Sequence, residues 1–191
     1  MALILASQSP RRRELLGQLG LTFTVRVADI DEVMDPRLPP EEAVAAVSAR
    51  KAAAVSAGQE DVVIAADTIV VLGSTILGKP RSPREAEEML LSLSGRTHRV
   101  MTGVTVRRGE ESRSFTEITE VVFRPLSAAE IRAYVATGDP MDKAGSYGIQ
   151  GLAALFAEGL RGDYFNVMGL PLCALGRVLR QFGVEVLGEK G

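Results

Sequence analysis

The sequence predicts an α/β fold on a long mixed β-sheet, with flanking helices. Short apolar strand patterns alternate along the chain with helical patterns. Two long strand patterns, at residues 98–108 and 112–123, are joined by Arg108, Gly109 and Glu110, as in an antiparallel hairpin. No repeat, low-complexity tract or clear linker divides the 191 residues. We therefore expect one domain over residues 1–191, with two lobes and a cleft between them.

Hydrophobic spacing and turn residues place the remaining elements. The predicted strands lie at residues 2–6, 23–27 and 61–67, in a hairpin at 69–77 around Gly73 and Ser74, once within 152–163, and finally at 184–187. The predicted helices span residues 10–19, 41–57, 83–92, 128–137 and 170–182. The acidic, Pro-rich segment 28–40 and the Gly-rich segment 137–151 are predicted loops.

The composition excludes several classes of protein. The net charge of −2 is unlike that of a strongly basic nucleic-acid binder. No apolar run reaches membrane-spanning length, and the N-terminal apolar run lacks a basic leader, so we expect a cytoplasmic protein. The lone Cys173 rules out an internal disulfide and, within an apolar run, is expected to be a buried, inert thiol. The single histidine, His98, supplies neither a triad nor a zinc cluster.

The first helix begins unusually. Ser9 and Pro10 form a normal helix start, in which serine caps the helix and proline takes the first position. Arg11, Arg12 and Arg13 then occupy the first turn, where the helix already carries positive partial charge. A bound anion would resolve this mismatch, because helix N–H groups and forked guanidinium groups both suit phosphate, and the hydroxyls of Ser7 and Ser9 lie alongside in sequence. The alternative is that the arginines turn into solvent.

Carboxylates recur at two further places. The segment DIDE at residues 29–32, which ends in Glu32, has three carboxylates that could hold a divalent cation through oxygen; otherwise it is a solvated acidic loop. Asp67 closes an apolar strand pattern, which indicates a carboxylate at a sheet edge facing a cleft. The alternative for Asp67 is a strand-ending residue bonded to a turn.

Lysines and a Gly-rich segment complete the candidates. Lys51 lies on a predicted helix, and Lys79 follows a strand between turn residues. Gly145, Gly148 and Gly151 would let the backbone approach a ligand closely, and Gln150 could read an amide–carbonyl edge such as that of a pyrimidine. The alternative is a mobile surface loop. Taken together, the candidates form the inventory for metal-assisted hydrolysis of a nucleotide.

Seven ordered blocks of sequence resemble the Maf family of nucleotide pyrophosphatases. They are LASQSPRRRELL, DIDE, ARKA, AADTIV, GKP, SGRTHRVMTGV and DKAGSYGIQG, with a weaker match at GDYFNVMGLPL. The resemblance implies hydrolysis of a nucleoside triphosphate to the monophosphate and pyrophosphate with a divalent cation, Mg²⁺ or Mn²⁺. It also implies a fold similar to that of the inosine triphosphate pyrophosphatases, and it allows a homodimer.

The resemblance also assigns roles. Asp67 corresponds to the family's proton acceptor, and Arg11, Thr68 and Gln150 correspond to its specificity positions, in the combination of the subgroup that acts on dTTP and UTP. Beside this, the residues themselves suggest Arg11 and Arg12 for the phosphates, Lys51 and Lys79 for developing charge, and Glu32 with Asp67 for the metal. Two alternatives stay open: a pyrophosphatase for non-canonical purine nucleotides, and a regulator of septum formation that acts through a protein partner.

Overall fold

The structure is a computed structural model that describes residues 1–187. The described chain divides into two compact units. The first contains residues 1–67, residues 102–117 and the chain from residue 169 onward, and the second contains residues 68–101 and 118–168. Asp67 is thus the last residue of a stretch of the first unit, and Thr68 opens the second.

A mixed, seven-stranded sheet with flanking helices confirms the predicted fold class. Its strands follow the order β2-β1-β3-β5-β6-β7, with β4 paired to β3. β1 is parallel to β2 and to β3, whereas the β3–β4 and β6–β7 pairs are antiparallel. The strands are β1 (Leu3–Leu5), β2 (Thr24–Val25), β3 (Val62–Leu72), β4 (Thr75–Leu77), β5 (Thr97–Arg108), β6 (Glu111–Phe123) and β7 (Ala157–Arg161).

The helices lie close to the predicted positions. They are α1 (Pro10–Gln18), α2 (Pro40–Ala54), α3 (Pro83–Leu93), α4 (Ala128–Ala136), α5 (Tyr164–Met168) and α6 (Leu172–Gln181). The short α5 was not predicted. Within the Gly-rich segment and just beyond it, the chain forms single 3₁₀ turns at Asp139–Asp142, Ala144–Ser146 and Leu152–Leu155. None of the helices within residues 1–187 has the length and apolarity needed to span a bilayer.

The prediction that Asp67 ends a strand is wrong. β3 runs without interruption from Val62 to Leu72, so Asp67 lies in mid-strand. An aspartate is tolerated there because its carboxylate forms an ion pair with Lys51. The strand predicted at residues 184–187 is also absent, since this segment is irregular.

Cys173 is exposed, contrary to the predicted buried thiol. It lies on the amphipathic helix α6, which buries Leu175 and Leu179. Residue 173 precedes these two by two and six positions, which places it on the opposite side of a helix with 3.6 residues per turn. The apolar character of the surrounding sequence therefore did not indicate the burial of this position.

In the first unit, helix α2 lies directly against strand β5. A Cβ atom at Gly103 would lie only 2.5 Å from the carbonyl oxygen of Val44 and 2.6 Å from the nitrogen of Ala45. At the end of the helix, the guanidinium of Arg107 donates to the carbonyls of Ala52 and Val55, at 3.1 Å and 3.0 Å. These carbonyls would otherwise lack partners at a helix C-terminus. Strand β5 therefore determines how closely helix α2, which carries Lys51, approaches the sheet, and it also satisfies the C-terminal end of that helix.

The core of the second unit is built around aromatic rings. Phe123, Tyr147 and His98 pack edge to face, with ring centroids 4.8–5.4 Å apart. His98 is 1% exposed, and its Nε2 lies 2.7 Å from the hydroxyl of Tyr147. Burial lowers the pKa of His98 to about 4, so the ring is neutral near pH 7. His98 is therefore a core residue that anchors Tyr147.

Candidate active site

The predicted helix start is confirmed. Ser9 is the N-cap of α1, its hydroxyl accepts from the backbone N–H of Arg12 at 3.4 Å, and Pro10 occupies the first helical position. No acidic residue lies in the first turn. The hydroxyl of Ser7 accepts from the N–H of Ser9 at 3.2 Å, so the turn before the helix is held by its own side chains. The basic helix start keeps its positive charge without an acidic neighbour in its first turn.

Arg12 is fixed by contacts that the sequence did not indicate. Its Nε donates to the carbonyl oxygen of Gly169 at 2.7 Å, and its Nη1 donates to the hydroxyl of Ser7 at 3.3 Å. Burial lowers the pKa of Arg12, opposed by the charges of Asp67 and Glu32. These electrostatic effects mean that Arg12 lies near both carboxylates. An arginine pKa is so high that the guanidinium remains charged.

Lys51 joins Glu32 and Asp67, the two carboxylates predicted to be metal ligands. Its Nζ lies 2.7 Å from Oδ1 of Asp67 and 2.8 Å from Oε1 of Glu32. The side chains of Lys51 and Asp67 are only 14% and 13% exposed, whereas that of Glu32 is 55% exposed. The ion pair between Lys51 and Asp67 is thus shielded from water, and Glu32 closes it from the solvent side.

The segment that carries Glu32 is tied to helix α2. Arg50 donates from Nη2 to the carbonyl oxygen of Val33 at 2.6 Å, next to the contact between Lys51 and Glu32. Asp31 accepts from the backbone N–H of Val33 at 2.9 Å, which makes a local turn. Adjacent side chains of one helix therefore hold adjacent residues of the acidic segment, and Asp31 serves that turn.

The carboxylate oxygens of this cluster suit a hard divalent cation. Two carboxylate oxygens lie within 3 Å of a single nitrogen, so both can reach one point. Within residues 1–187, no three histidine, cysteine or acidic side chains form a metal-binding group. Mg²⁺ commonly takes only one or two protein carboxylates and completes its coordination with water and phosphate oxygens. The pair of Glu32 and Asp67 therefore fits such an ion, provided that substrate supplies further oxygens.

The other predicted site residues lie in the second unit. Thr68 follows Asp67 on β3 and is half-buried, while Lys79 lies exposed just after β4. Gln150 is exposed in a turn that the N–H of Gly151 closes by donating to the carbonyl of Gly148 at 3.1 Å. The first unit thus contains Ser7, Ser9, Arg11, Arg12, Glu32, Lys51 and Asp67, and the second unit contains Thr68, Lys79 and Gln150.

Several residues around these side chains could not have been found from the sequence. The carbonyl of Gly169 meets Arg12 across 157 positions of sequence, and no local signal marks it. Tyr134 supports the turn at Gln150 because its hydroxyl accepts from the N–H of Gly148 at 3.1 Å and donates to Asp139 at 2.5 Å. The sequence gives little indication of this role, because a tyrosine on the apolar side of a helix, such as Tyr134 on α4, is expected to be an ordinary core residue.

Comparison with solved structures defines the class of fold first. The chain is similar to a HAM1 protein from Coxiella burnetii, with a TM-score of 0.54 over 95% of this chain and 100% of that chain, at 15% sequence identity. At this identity the similarity shows a shared fold. This shared α/β architecture confirms the prediction of a fold similar to that of the inosine triphosphate pyrophosphatases.

Sequence comparison then gives the family. The family model described as "Maf-like protein" matches residues 2–182. A protein of Moorella thermoacetica named dTTP/UTP pyrophosphatase is 54% identical over 98% of both chains. One of the same name from Pelotomaculum thermopropionicum is 50% identical over 97% of this chain and 98% of its own length. A third, from Bacillus cereus, is 46% identical over 96% of this chain and 97% of its own. The chain belongs to the Maf-like family.

Proposed function

We propose that this protein is a nucleoside triphosphate pyrophosphatase that hydrolyses dTTP and UTP to the monophosphate and pyrophosphate. The observation that carries the proposal is the cluster of Asp67, Lys51 and Glu32 near Arg12, in which the ion pair between Lys51 and Asp67 is shielded from water. Such a cluster combines a proton acceptor, a compact cation and a metal-binding carboxylate. The names of relatives at 46–54% identity support the same activity and the same substrates.

The triphosphate is bound in this proposal by the cationic start of α1. Arg11 and Arg12 supply guanidinium donors, Ser7 and Ser9 supply hydroxyls, and the helix terminus adds its positive partial charge. Arg12 is held in place by Gly169 before substrate arrives, so little side-chain entropy is lost when it meets a phosphate. The substrate's negative charge balances the arginines of the first turn.

Hydrolysis requires that water attack the α-phosphorus, that the bond to the bridging oxygen of the β-phosphate break, and that pyrophosphate leave. Asp67 accepts the proton of the attacking water, and Lys51 orients the Asp67 carboxylate through their 2.7 Å contact. Lys51 and Lys79 offset the charge that develops on the phosphates. Glu32 and Asp67 would hold Mg²⁺ or Mn²⁺, which when bound lowers the pKa of water and neutralises phosphate charge.

Base selection is assigned to Arg11, Thr68 and Gln150, the positions that correspond to the family's specificity residues. The carboxamide of Gln150 offers one acceptor and two donors, which match the N–H and carbonyl groups on the edge of thymine or uracil. We further propose that the divalent cation is required, that the protein acts in the cytoplasm, and that it forms a homodimer. We also propose that removal of unwanted nucleotides, modified pyrimidine nucleotides among them, is its cellular role.

The proposal is tested by measuring pyrophosphate release from dTTP, UTP, CTP, 7-methyl-GTP and ITP, with Mg²⁺ or Mn²⁺ and with a chelator. Turnover that needs the metal and favours dTTP and UTP is the expected result. Turnover mainly on ITP or 7-methyl-GTP would preserve the chemistry and reject the base assignment. Nucleotide binding without turnover would reject the enzyme and favour a regulator that acts through a partner.

A further inference from the structure

We infer that Tyr134 is a positioning residue for nucleobase selection, because its hydroxyl holds the turn that carries Gln150. The inference rests on the proposed function, in which Gln150 reads the base. The new element is Tyr134, which keeps the turn that carries Gln150 in place. The residues involved all belong to the second unit.

The hydroxyl of Tyr134 has a fixed hydrogen-bond direction. Tyr134 lies on α4 and is 3% exposed. Its hydroxyl donates to Oδ2 of Asp139 at 2.5 Å and accepts from the backbone N–H of Gly148 at 3.1 Å. An ionised carboxylate can only accept, so the tyrosine proton must point at Asp139 and a lone pair is left for Gly148. This hydroxyl therefore cannot exchange its two partners.

Asp139 is itself held in place by Lys143. The Nζ atom of Lys143, whose side chain is 12% exposed, donates to Oδ1 of Asp139 at 3.0 Å and to its carbonyl oxygen at 2.6 Å. A further contact of 2.8 Å joins the same nitrogen to Asp142. The two carboxylate oxygens of Asp139 thus have separate, charge-assisted or hydroxyl partners, and the acceptor of the Tyr134 proton does not move freely.

Gly148 is the first residue of the turn that presents Gln150. Its carbonyl accepts from the N–H of Gly151, which makes Ile149 and Gln150 the central residues of the turn. Ile149 packs against the core of the second unit, whereas Gln150 is exposed. A methyl group at Gly151 would lie 3.7 Å from Oδ2 of Asp139, so both ends of the turn lie next to the acceptor of Tyr134.

The rest of the segment has its own anchors. The N–H of Gly145 donates to the carbonyl of Gly78 at 3.0 Å, and Gly145 adopts φ +68° where a side chain would meet Val70 at 2.8 Å. Ser146 is fully buried with φ +63°, an uncommon conformation for a residue with a side chain. Tyr147 is held by His98. Loss of the Tyr134 hydroxyl should therefore loosen the turn at Gln150 without unfolding the segment before it.

Position matters here because a carboxamide can pair with more than one base. Uracil presents a ring N–H donor beside a carbonyl acceptor, whereas cytosine presents a ring-nitrogen acceptor beside an amino donor. A glutamine amide that turns over can satisfy either edge. Selection of uracil over cytosine therefore depends on the position from which the turn presents the amide, and specificity comes from the mismatch imposed on the wrong base.

The test compares kcat/KM for UTP and CTP in the wild type and in Tyr134→Phe, with the exposed Tyr164→Phe of the same unit as the matched control. We expect the UTP-to-CTP ratio to fall roughly three- to tenfold in Tyr134→Phe, as the loss of one hydrogen bond allows. The ratio should stay unchanged in Tyr164→Phe. An unchanged ratio in Tyr134→Phe would overturn the inference, even if kcat/KM falls on both substrates, because a merely structural role lowers both rates together.

Asp139 provides a second route to the same answer if Tyr134→Phe does not fold. Asp139→Ala removes the acceptor of the Tyr134 proton and should lower the UTP-to-CTP ratio as Tyr134→Phe does. Asp139→Asn retains an acceptor and should keep a ratio close to that of the wild type. Equal ratios in these two variants would overturn the inference. If wild-type protein hydrolyses neither nucleotide, the proposed function itself fails, and this outcome is seen before any variant is made.

Discussion

Lys51 lies 2.7 Å from Asp67, and both side chains are almost enclosed. This pair joins helix α2 to the middle of strand β3, and Glu32 adds a second carboxylate to the same ammonium group. A buried ion pair is a weak source of stability, since desolvation of the two charges offsets most of their attraction. Stability alone therefore does not explain why this pair lies in the middle of a strand, and the proposed catalytic role of Asp67 does.

Asp67→Asn should abolish most of the turnover and leave the fold intact. The carboxamide cannot accept a proton from water, so we expect kcat to fall roughly 10²- to 10⁴-fold, the usual contribution of a general base. Lys51 keeps Glu32 as a partner, which limits the structural effect. The matched control is Asp61→Asn, which lies just before β3 and bonds backbone N–H groups of Ala2 and Gly58. Full activity of Asp67→Asn with dTTP would exclude Asp67 as the proton acceptor.

Lys51→Gln should strengthen the binding of Mn²⁺ to the nucleotide-free protein. The ammonium group and a divalent cation attract the same two carboxylate oxygens, so removing the ammonium removes a competing charge. The dissociation constant can be measured from the electron paramagnetic resonance signal of free Mn²⁺. The control is Lys51→Gln combined with Asp67→Asn, because it removes the same ammonium group together with one of the two proposed metal-binding carboxylates. An equal gain in both variants, or weaker binding in Lys51→Gln, would contradict the assignment of Glu32 and Asp67 to the metal.

Arg12→Ala should destabilise the protein, whereas Arg13→Ala should not. Arg12 donates to Gly169 and Ser7, and its loss leaves a carbonyl without its charged donor, at a cost of about 1–3 kcal/mol in the free energy of unfolding. Arg13 is exposed in the same helical turn and provides a close control. Urea denaturation of the two variants measures the difference. Equal midpoints would mean that the Arg12–Gly169 contact contributes little to folding.

Stability should fall with acid over a range set by His98. Its folded pKa, about 4, lies below the ordinary value of 6.5, so the unfolded chain binds a proton first as the pH is lowered. The contribution of His98 is therefore complete above pH 6.5 and is lost as the pH falls through 4, to an extent of up to about 3 kcal/mol. Tyr147 and Phe123, whose rings pack against His98, do not titrate in that range. In His98→Gln the same range should show a flatter profile of unfolding free energy, and an identical profile would rule out this histidine as the cause.

The sequence was sufficient for the parts of the fold that depend on local pattern. The cap at Ser9, the proline at position 10 and the hairpin of β5 and β6 all follow from short-range rules, and the structure contains them. It was insufficient where distant residues meet. Asp67 was predicted to end a strand because a charged residue inside an apolar run normally does; the partner that makes it tolerable, Lys51, lies 16 positions away.

The candidate site divides in the same way. Arginines after a serine cap and an acidic segment can be recognised from their own chemistry as candidates for binding an anion and a cation. The sequence of the Gly-rich segment was less informative, because a mobile loop and a loop held by hydrogen bonds can have the same composition. The segment is held by hydrogen bonds to Tyr134, His98 and Gly78, which come from three separate places in the chain. Cys173 is a simpler case: its exposure depends on the side of the helix on which it lies and not on the overall apolarity of the surrounding sequence.

Gly103 restricts the substitutions that this chain can accept more tightly than its position in the sequence suggests. Any side chain there would strike the backbone of α2, which has no flexible end to move aside. Even alanine would push the helix away from β5 and carry Lys51 with it. In a saturation mutagenesis screen scored by growth or activity, residue 103 should therefore tolerate no replacement. A geneticist who saw only those scores would mistake this glycine for part of the chemistry.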